Sequence, residues 1–287
     1  MLHKLRTFKL RNKINLFADK LLNSLSANGA LSERLILRLE NLVIRLKSKE
    51  IRFLVEKGRA YAVENEKRIM ISNLRRGFWL YRNGINERAN FLYKSYCLEN
   101  ISFRKGDIVI DCGANSGDLF LALQELIISS DYFAFEPNPI EFEILQCNVG
   151  RCGGRIYNIA LGDAQRKMKF YISTREGDSS LVEPFAYDEL IEVDVVRLDN
   201  FIIGNNLDSI KLLKLEAEGY EPEILHGLGE CLKYIEYIAL DGGYERGIDK
   251  EQTFITCSNY LLNNGFEWVD MYHPWSRLLF RNKQYVE

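Results

Sequence analysis

The sequence predicts an α/β fold: a mostly parallel sheet with crossover helices, closed by an antiparallel hairpin and preceded by a helical extension. Three observations carry this. From Gly106 to about Phe266, short apolar runs alternate with longer helix-period runs, the signature of repeated strand–helix units. The last such run is followed by two β-like segments either side of His273-Pro274-Trp275, which reads as a hairpin and not as one more parallel strand. The first 60 residues differ in kind, with 14 Lys and Arg against 5 acids, a net +9 inside a 287-residue chain whose formal net charge is −2.

The elements follow in order. Ile14, Phe17, Leu21, Leu22 and Leu25 share one helical face, and after Asn28-Gly29 so do Leu35, Leu39, Leu42 and Leu46. Residues 1–50 are therefore expected to be a basic, amphipathic helical extension. Its helices either pack on the rest of the chain or serve as a docking arm. Residues 51–104 change period. Phe53–Val55, Arg59–Val63 and Arg68–Ile71 predict a small antiparallel sheet, with a helix over 88–98. Residues 105–287 carry the main domain. Its predicted strands are 107–111, 132–136, 155–159, 211–215 and 234–240, and its predicted helices are 119–127, 137–149, 221–231 and 252–263. Short β-like pieces occupy 167–203 where a crossover helix would be expected. Segments 267–272 and 276–281 form the terminal hairpin. Five strand–helix units ending in an antiparallel strand, seven strands in all, is the layout of the class I methyltransferase, Rossmann-like fold. A dinucleotide fold would end on another parallel strand.

Composition narrows the function. Hydrophobic residues at 47% and charged residues at 27% exclude disorder and coiled-coil rods. No apolar run approaches the roughly 20 residues needed to cross a bilayer. The six cysteines form no CxxC pair, and the N-terminus has no apolar core of a secretory signal, so reduced thiols and a cytoplasmic location are expected. The basic arm lacks interleaved aromatics and carries no nucleic-acid motif, so nucleic acid is not predicted. Residues 1–60 suit an anionic membrane surface at the inner face, or self-association.

Asp111-Cys112-Gly113-Ala114-Asn115-Ser116-Gly117 sits where the first strand of the main domain ends and a helix begins. Ligands of parallel sheets lie beyond the carboxyl ends of the strands, near the point where strand order reverses. The G-x-x-x-G spacing is not the dinucleotide G-x-G-x-x-G, and no Gly-Lys-Ser/Thr follows, which disfavours NAD and excludes a phosphate loop. Asp111 can accept from a cationic amine such as that of S-adenosylmethionine. Glu136, before Pro137-Asn138, can hold two ribose hydroxyls with its two oxygens. Two acids at the ends of adjacent strands predict an adenosyl cofactor.

The ordered string VIDCGANSGDL, FEPNP, NIALGD, SSL, VVRLDNF and LLKLEAEGYEPEILHG resembles the FkbM family of S-adenosylmethionine-dependent methyltransferases. The resemblance covers about Gly106 to Phe280. It implies S-adenosylmethionine as methyl donor and O-methylation of a hydroxyl, in a sugar, glycan or glycolipid or on a natural-product scaffold. Carried onto this chain, cofactor contacts fall on Asp111, Gly113, Ala114, Asn115, Ser116 and Gly117, on Glu136, Pro137 and Asn138, and on Ala160 and Leu161 beside the adenine. The family's K-I/L-D-x-E-G reads Lys214-Leu215-Glu216-Ala217-Glu218-Gly219 here, with Glu in place of Asp at 216.

Methyl transfer to a hydroxyl benefits from a base that takes its proton. Lys214, Glu216 and Glu218 end the fourth parallel strand, at the cofactor edge, and are the catalytic candidates, with Glu218 or Glu216 as base and Lys214 orienting it. A structural ion pair explains the same residues equally well, because a Lys and two acids in an apolar strand are costly unless paired. A carboxylate-only site would suit Mg²⁺, but no metal site is assigned. A non-catalytic interaction protein on the same scaffold is the other-class alternative, and the intact Asp111, Gly113, Gly117 and Glu136 argue against it.

Overall fold

The computed structural model describes residues 33–46, 50–173 and 178–285. The chain divides into two compact units, Met1–Arg88 and Ala89–Glu287, a division earlier than the boundary near 104 that the sequence alone suggests. The helix expected over 14–27 lies outside the described residues.

In the smaller unit, α1 (Glu33–Leu46) precedes an antiparallel sheet of β1 (Arg52–Glu56), β2 (Arg59–Glu64) and β3 (Lys67–Ile71), in that order. Asn41 ties helix to sheet: its amide donates to the Phe53 carbonyl at 2.8 Å and accepts from the Phe53 N–H at 2.8 Å. The helix is amphipathic, as expected, with Leu35 and Leu42 exposed and Ile44 and Glu40 buried. Helix α2 (Leu74–Tyr81) is capped by Asn73, whose side chain accepts from the Arg76 N–H at 2.8 Å. Helix α3 (Ile85–Ser95) follows.

The larger unit is built on a seven-stranded sheet. Its strands are β4 (Val109–Cys112), β5 (Tyr132–Phe135), β6 (Arg155–Tyr157), β10 (Ile210–Leu215), β11 (Ile235–Asp241), β14 (Phe266–Tyr272) and β15 (Arg277–Asn282). The spatial order is β14-β15-β11-β10-β4-β5-β6. All neighbours from β6 to β11 are parallel, and β15 is antiparallel to both β11 and β14. Strand order reverses between β4 and β10, where Cys112 pairs with Leu215. That reversal sets the crevice at their carboxyl ends.

Alternation along the strands fills both faces. Val109, Ala134, Leu212, Ala239 and Leu279 pack with α4 (Asp118–Leu123) and α5 (Pro139–Asn148). Ile110, Phe133, Leu213, Ile238 and Phe280 face the other way, against α6 (Leu198–Gly204), α7 (Glu221–His226) and α8 (Phe254–Asn263). The β-like pieces at 167–203 form a second sheet of β7 (Ala160–Gly162), β9 (Glu189–Arg197) and β8 (Arg166–Ile172), with β9 central. A small ribbon of β12 (Tyr244–Arg246) and β13 (Glu251–Gln252) follows β11. No helix among the described residues is long and apolar enough to cross a membrane.

Candidate active site

The turn after β4 is held from two sides. The N–H groups of Gly113 and Ala114 donate to the Phe135 carbonyl, at 3.1 and 2.9 Å. Gly113 has φ +70°, and a Cβ there would overlap the Glu216 carbonyl oxygen. Gly117 has φ +87°, and a Cβ would overlap the Val149 side chain. Their missing side chains make room for the Glu216 backbone and the Val149 side chain and allow the turn.

Glu136 closes β5 from inside the same turn. Its Oε2 accepts the Asn115 N–H and its Oε1 the Asn138 N–H, each at 2.8 Å. Each oxygen keeps a further lone pair. Burial, offset in part by those two donors, pushes this carboxyl up to about 7. Asn138 caps α5 by accepting from the Ile140 N–H at 3.0 Å, ahead of Pro139 at the first turn. The Asn115 side chain accepts the Ser116 N–H at 2.8 Å, and Ser116 Oγ donates to Asp118 at 3.0 Å. A carboxylate at a strand end, anchored by backbone and still holding acceptor capacity, fits the ribose diol of an adenosyl group.

Asp111 is wholly buried, Tyr132 Oη donates to its Oδ2, and Lys214 Nζ lies 3.1 Å from its Oδ1. The cation it faces is the chain's own lysine, which ties β4 to β10 at the turn. Ala160 and Leu161 lie within β7, both buried. Ala160 packs with Phe170, Ile172, Val193 and Val195, and Leu161 joins the main core, so what they can offer an adenine is backbone.

Lys214 and Glu216 form the ion pair that was one of the two readings of this segment. Lys214 Nζ is 3.0 Å from Glu216 Oε2 and donates to the carbonyls of Cys112 (3.0 Å) and Gly113 (2.7 Å). Burial alone would lower this ammonium, but Asp111 and Glu216 more than offset it and hold it above its ordinary value. Glu216 also accepts from Tyr96 Oη at 2.5 Å and pairs with Arg277 Nη2 at 3.1 Å. Burial raises its carboxyl, yet Lys214, Arg277 and Tyr96 together hold it well below the carboxylate range. A carboxylate so stabilised is a poor base.

The network continues through Arg277, whose Nε is 2.6 Å from Asp241 Oδ2 and whose Nη1 donates to Ser95 Oγ at 2.7 Å. Its guanidinium lies over the Tyr96 ring, 4.2 Å from the centroid. Burial and the Glu216 charge push Asp241 up to about 7 against the pull of Arg277. Tyr96, Ser95 and Arg277 were not legible as site residues. The one signal was a charged residue opening the apolar strand RLLFRN.

Glu218 stands apart. It has φ +49°, and its peptide is held on every side. Ser180 Oγ donates to its carbonyl at 2.7 Å, Glu221 Oε1 accepts from the Ala217 and Gly219 N–H groups at 2.7 and 3.1 Å, and Arg246 donates to the Gly219 carbonyl. Ser180 of the SSL segment is thus a brace for this loop. Glu218 Oε2 is buried and has no hydrogen-bond donor. Burial, then the charges of Glu245, Asp178, Glu216 and Glu221, push its carboxyl well above the usual range. His226 is exposed and lies against the Tyr260 ring, and His273 is exposed in the hairpin turn. Among the described residues no group of three or more His, Cys, Asp or Glu is arranged to hold a metal ion.

The sheet order, the reversed β15 and the turn at the switch point define a class I, S-adenosylmethionine-dependent methyltransferase. Residues 111–275, more than half of the chain, match the Methyltransferase FkbM domain. The chain belongs to the FkbM methyltransferase family. Among relatives, the 31-O-demethyl-FK506 methyltransferase FkbM of Streptomyces tacrolimicus is 28% identical over 181 residues, covering 50% of this chain and 70% of that protein. The 2-O-methyltransferase NoeI of Sinorhizobium fredii is 23% identical over 175 residues, covering 55% and 72%. The hexuronic acid methyltransferase AglP of Haloferax volcanii is 23% identical over 145 residues, covering 47% and 55%. A solved SAM-dependent methyltransferase from Aquifex aeolicus superimposes with TM-score 0.37 and 11% identity, over 67% of this chain and 86% of that one.

Proposed function

We propose that the protein is an O-methyltransferase that acts on a hydroxyl of a sugar, in a glycan, polysaccharide or glycolipid. The observation that carries this reading is Glu218: a carboxyl with one solvent-shielded, donor-free oxygen, on the loop that follows β10 beside the switch point. Such a group can take a hydroxyl proton as the oxygen attacks. Bound S-adenosylmethionine would supply an electrophilic methyl group. Glu136, Asn115 and Asn138 would hold its ribose side, while Lys214, Asp111 and Glu216 keep the turn in register. The names of two relatives, a 2-O-methyltransferase and a hexuronic acid methyltransferase, support a sugar acceptor. The FK506 relative supports a natural-product hydroxyl as the second reading. The basic residues of 1–60 are proposed to bring the enzyme to an anionic membrane face or to a second copy, inside the cytoplasm.

The full chain, S-adenosylmethionine and a panel of free monosaccharides, hexuronic acids included, provide the test. The expected result is a net gain of one methylene, a methyl replacing a hydroxyl hydrogen to form a methyl ether, found by mass spectrometry and fragmentation. Methylation of a macrolide hydroxyl in place of every sugar would move the assignment to the second reading. Methyl transfer confined to amines would end both.

A further inference from the structure

The sheet order separates the two halves of the site. Glu136 follows β5 on one side of the switch point, and Glu218 follows β10 on the other, beside β11 and β15. An acceptor whose hydroxyl reaches Glu218 therefore lies over the β10-β11-β15 half, away from the ribose carboxylate. Strand β15 enters that half from the site edge. It runs antiparallel to β11, and its first residue, Arg277, pairs with Asp241, the last residue of β11. The preceding turn, His273–Trp275, closed by Ser276 at φ +52°, is thereby carried past the carboxyl ends of the parallel strands.

Trp275 is held in that turn by ring contacts. Phe91 of α3 meets it with centroids 5.2 Å apart and planes at 65°, and Phe91 also meets Tyr272 edge-on at 6.2 Å. The Arg277 guanidinium lies 4.9 Å from the Trp275 centroid and 4.2 Å from that of Tyr96, so two rings share one cation. Arg277 is in turn bound by Asp241, Glu216 and Ser95. One side chain therefore links the Trp275 ring to Glu216 on the site loop. Arg277 and Tyr96 are buried, yet Trp275 stays 40% exposed. Packing accounts for the covered part of the indole and leaves the open part without a structural use. A fixed, part-open aromatic at a site edge suits a ligand with both an apolar face and hydroxyls, because the ring covers the C–H groups while the hydroxyls keep polar partners. A ring already ordered before binding also costs little entropy on binding.

We propose that Trp275 is an acceptor-binding residue, the surface on which the C–H face of a pyranose ring stacks so that one of its hydroxyls reaches Glu218. The inference rests on the sugar reading and narrows it to a cyclic sugar. An open-chain alditol carries similar hydroxyls but no flat C–H face to stack.

The test uses the full chain, Trp275→Ala, Trp275→Phe, and a Trp79→Phe/Trp268→Phe form in which Trp275 is the sole tryptophan. The probes are the pyranose of the monosaccharide panel that the wild type methylates fastest, and sorbitol as the open-chain control. With S-adenosylhomocysteine bound, the pyranose should change the fluorescence of the single-tryptophan form saturably, and sorbitol should not. In Trp275→Ala the acceptor KM should rise about tenfold, the size of effect that loss of one stacking ring produces, with kcat within about twofold. S-adenosylhomocysteine affinity and circular dichroism should not change, and Trp275→Phe should recover most of the loss. A wild-type acceptor KM in Trp275→Ala, or a silent Trp275 during titration with a sugar the enzyme turns over, would overturn the stacking role and leave the sugar reading standing. If Trp275→Ala loses its circular dichroism, the fluorescence titration decides alone. A wild type that methylates no sugar would remove the sugar reading and the stacking role together.

Discussion

Lys214→Met tests whether the cofactor turn is held by the buried ionic network. Methionine keeps the unbranched stem and removes only the ammonium. The ammonium's loss leaves Asp111, wholly buried, without its cation, and Glu216 with Arg277 alone. It also removes the donor to the Cys112 and Gly113 carbonyls. Breaking a buried pair by deleting one partner costs about 3–5 kcal/mol, and each orphaned carbonyl adds up to about 1–3 kcal/mol where water does not replace the donor. A loss of at least about 3 kcal/mol in urea unfolding at pH 7.5 follows. The sign with pH between 7.5 and 5 is fixed by Asp111, since what Glu216 contributes is lost only below about pH 4.5. Asp111, deprived of its cation, takes up a proton more readily in the folded variant, so the variant loses more as pH rises. The deficit should therefore shrink towards pH 5. S-adenosylhomocysteine affinity, read by calorimetry, should fall with it, since the turn carbonyls move. Adding Glu216→Gln should recover part of the loss, a coupling of about 0.5–3 kcal/mol. A Lys214→Met protein within about 0.5 kcal/mol of wild type, with unchanged affinity, would refute the account.

Tyr96→Phe deletes a 2.5 Å bond to an ionised carboxylate from a fully buried ring and should cost about 1.5–3 kcal/mol in the same unfolding assay. Gly113→Ala meets both a φ of +70° and the Glu216 carbonyl, so cofactor binding should be lost even where the chain still folds, as calorimetry against circular dichroism will show. Glu136, with its carboxyl near 7, binds ribose hydroxyls best when ionised. S-adenosylhomocysteine should bind several-fold tighter at pH 8 than at pH 6, and Glu136→Gln should flatten that dependence. In the smaller unit, buried Glu40 is pushed up to about 8 by burial, and its Oε2 has no partner. Its burden on folding grows as pH rises from about 5 to 8, so Glu40→Gln should gain on the order of 2 kcal/mol over wild type across that window in thermal or urea unfolding.

Much of the fold was legible because its signals are local. The strands of the large sheet are buried on both faces, so they read as continuous apolar runs, as in VIDC, YFAF and IKLLKL. Helix α5 was legible too, but the sequence pattern starts it two residues early, at Pro137, whereas Asn138 is the cap and Pro139 the first residue. The β7-β9-β8 sheet was less legible, since β7 is three residues long and pairs with a strand that begins nearly thirty positions later. The amphipathic character of α1 was legible in its spacing, whereas the Asn41–Phe53 pairing that ties it to the sheet was not. In the site, the places of Asp111 and Glu136 at strand ends were legible, and the partners of Asp111 were not, because Tyr132 and Lys214 lie on other strands. Tyr96 meets Glu216 across 120 positions and Ser95 meets Arg277 across 182, separations over which no spacing rule reaches.

Glu216 and Glu218 show how far a motif can be taken as chemistry. They are two residues apart, of one type and on one loop, and sequence alone treats them as interchangeable bases. The fold separates them by backbone conformation. Glu216 follows β10 directly, and its longer side chain, compared with the family's Asp, reaches Lys214, Tyr96 and Arg277 together. Glu218 is turned through a positive φ, and burial and then the charges of surrounding acids raise its carboxyl where cations lower that of Glu216. Opposite surroundings drive the two carboxyls in opposite directions, which is the condition under which one group holds a structure and the other can serve in proton transfer. Swapping the environments is therefore a sharper experiment than deleting either acid. Arg277→Met should raise the Glu216 carboxyl by removing a cation that lies 3.1 Å away, while leaving the Glu218 loop to its own braces through Ser180, Glu221 and Arg246. If Glu218 titrated with Glu216 in that variant, the two acids would belong to a single network, and the division of roles between them would be wrong.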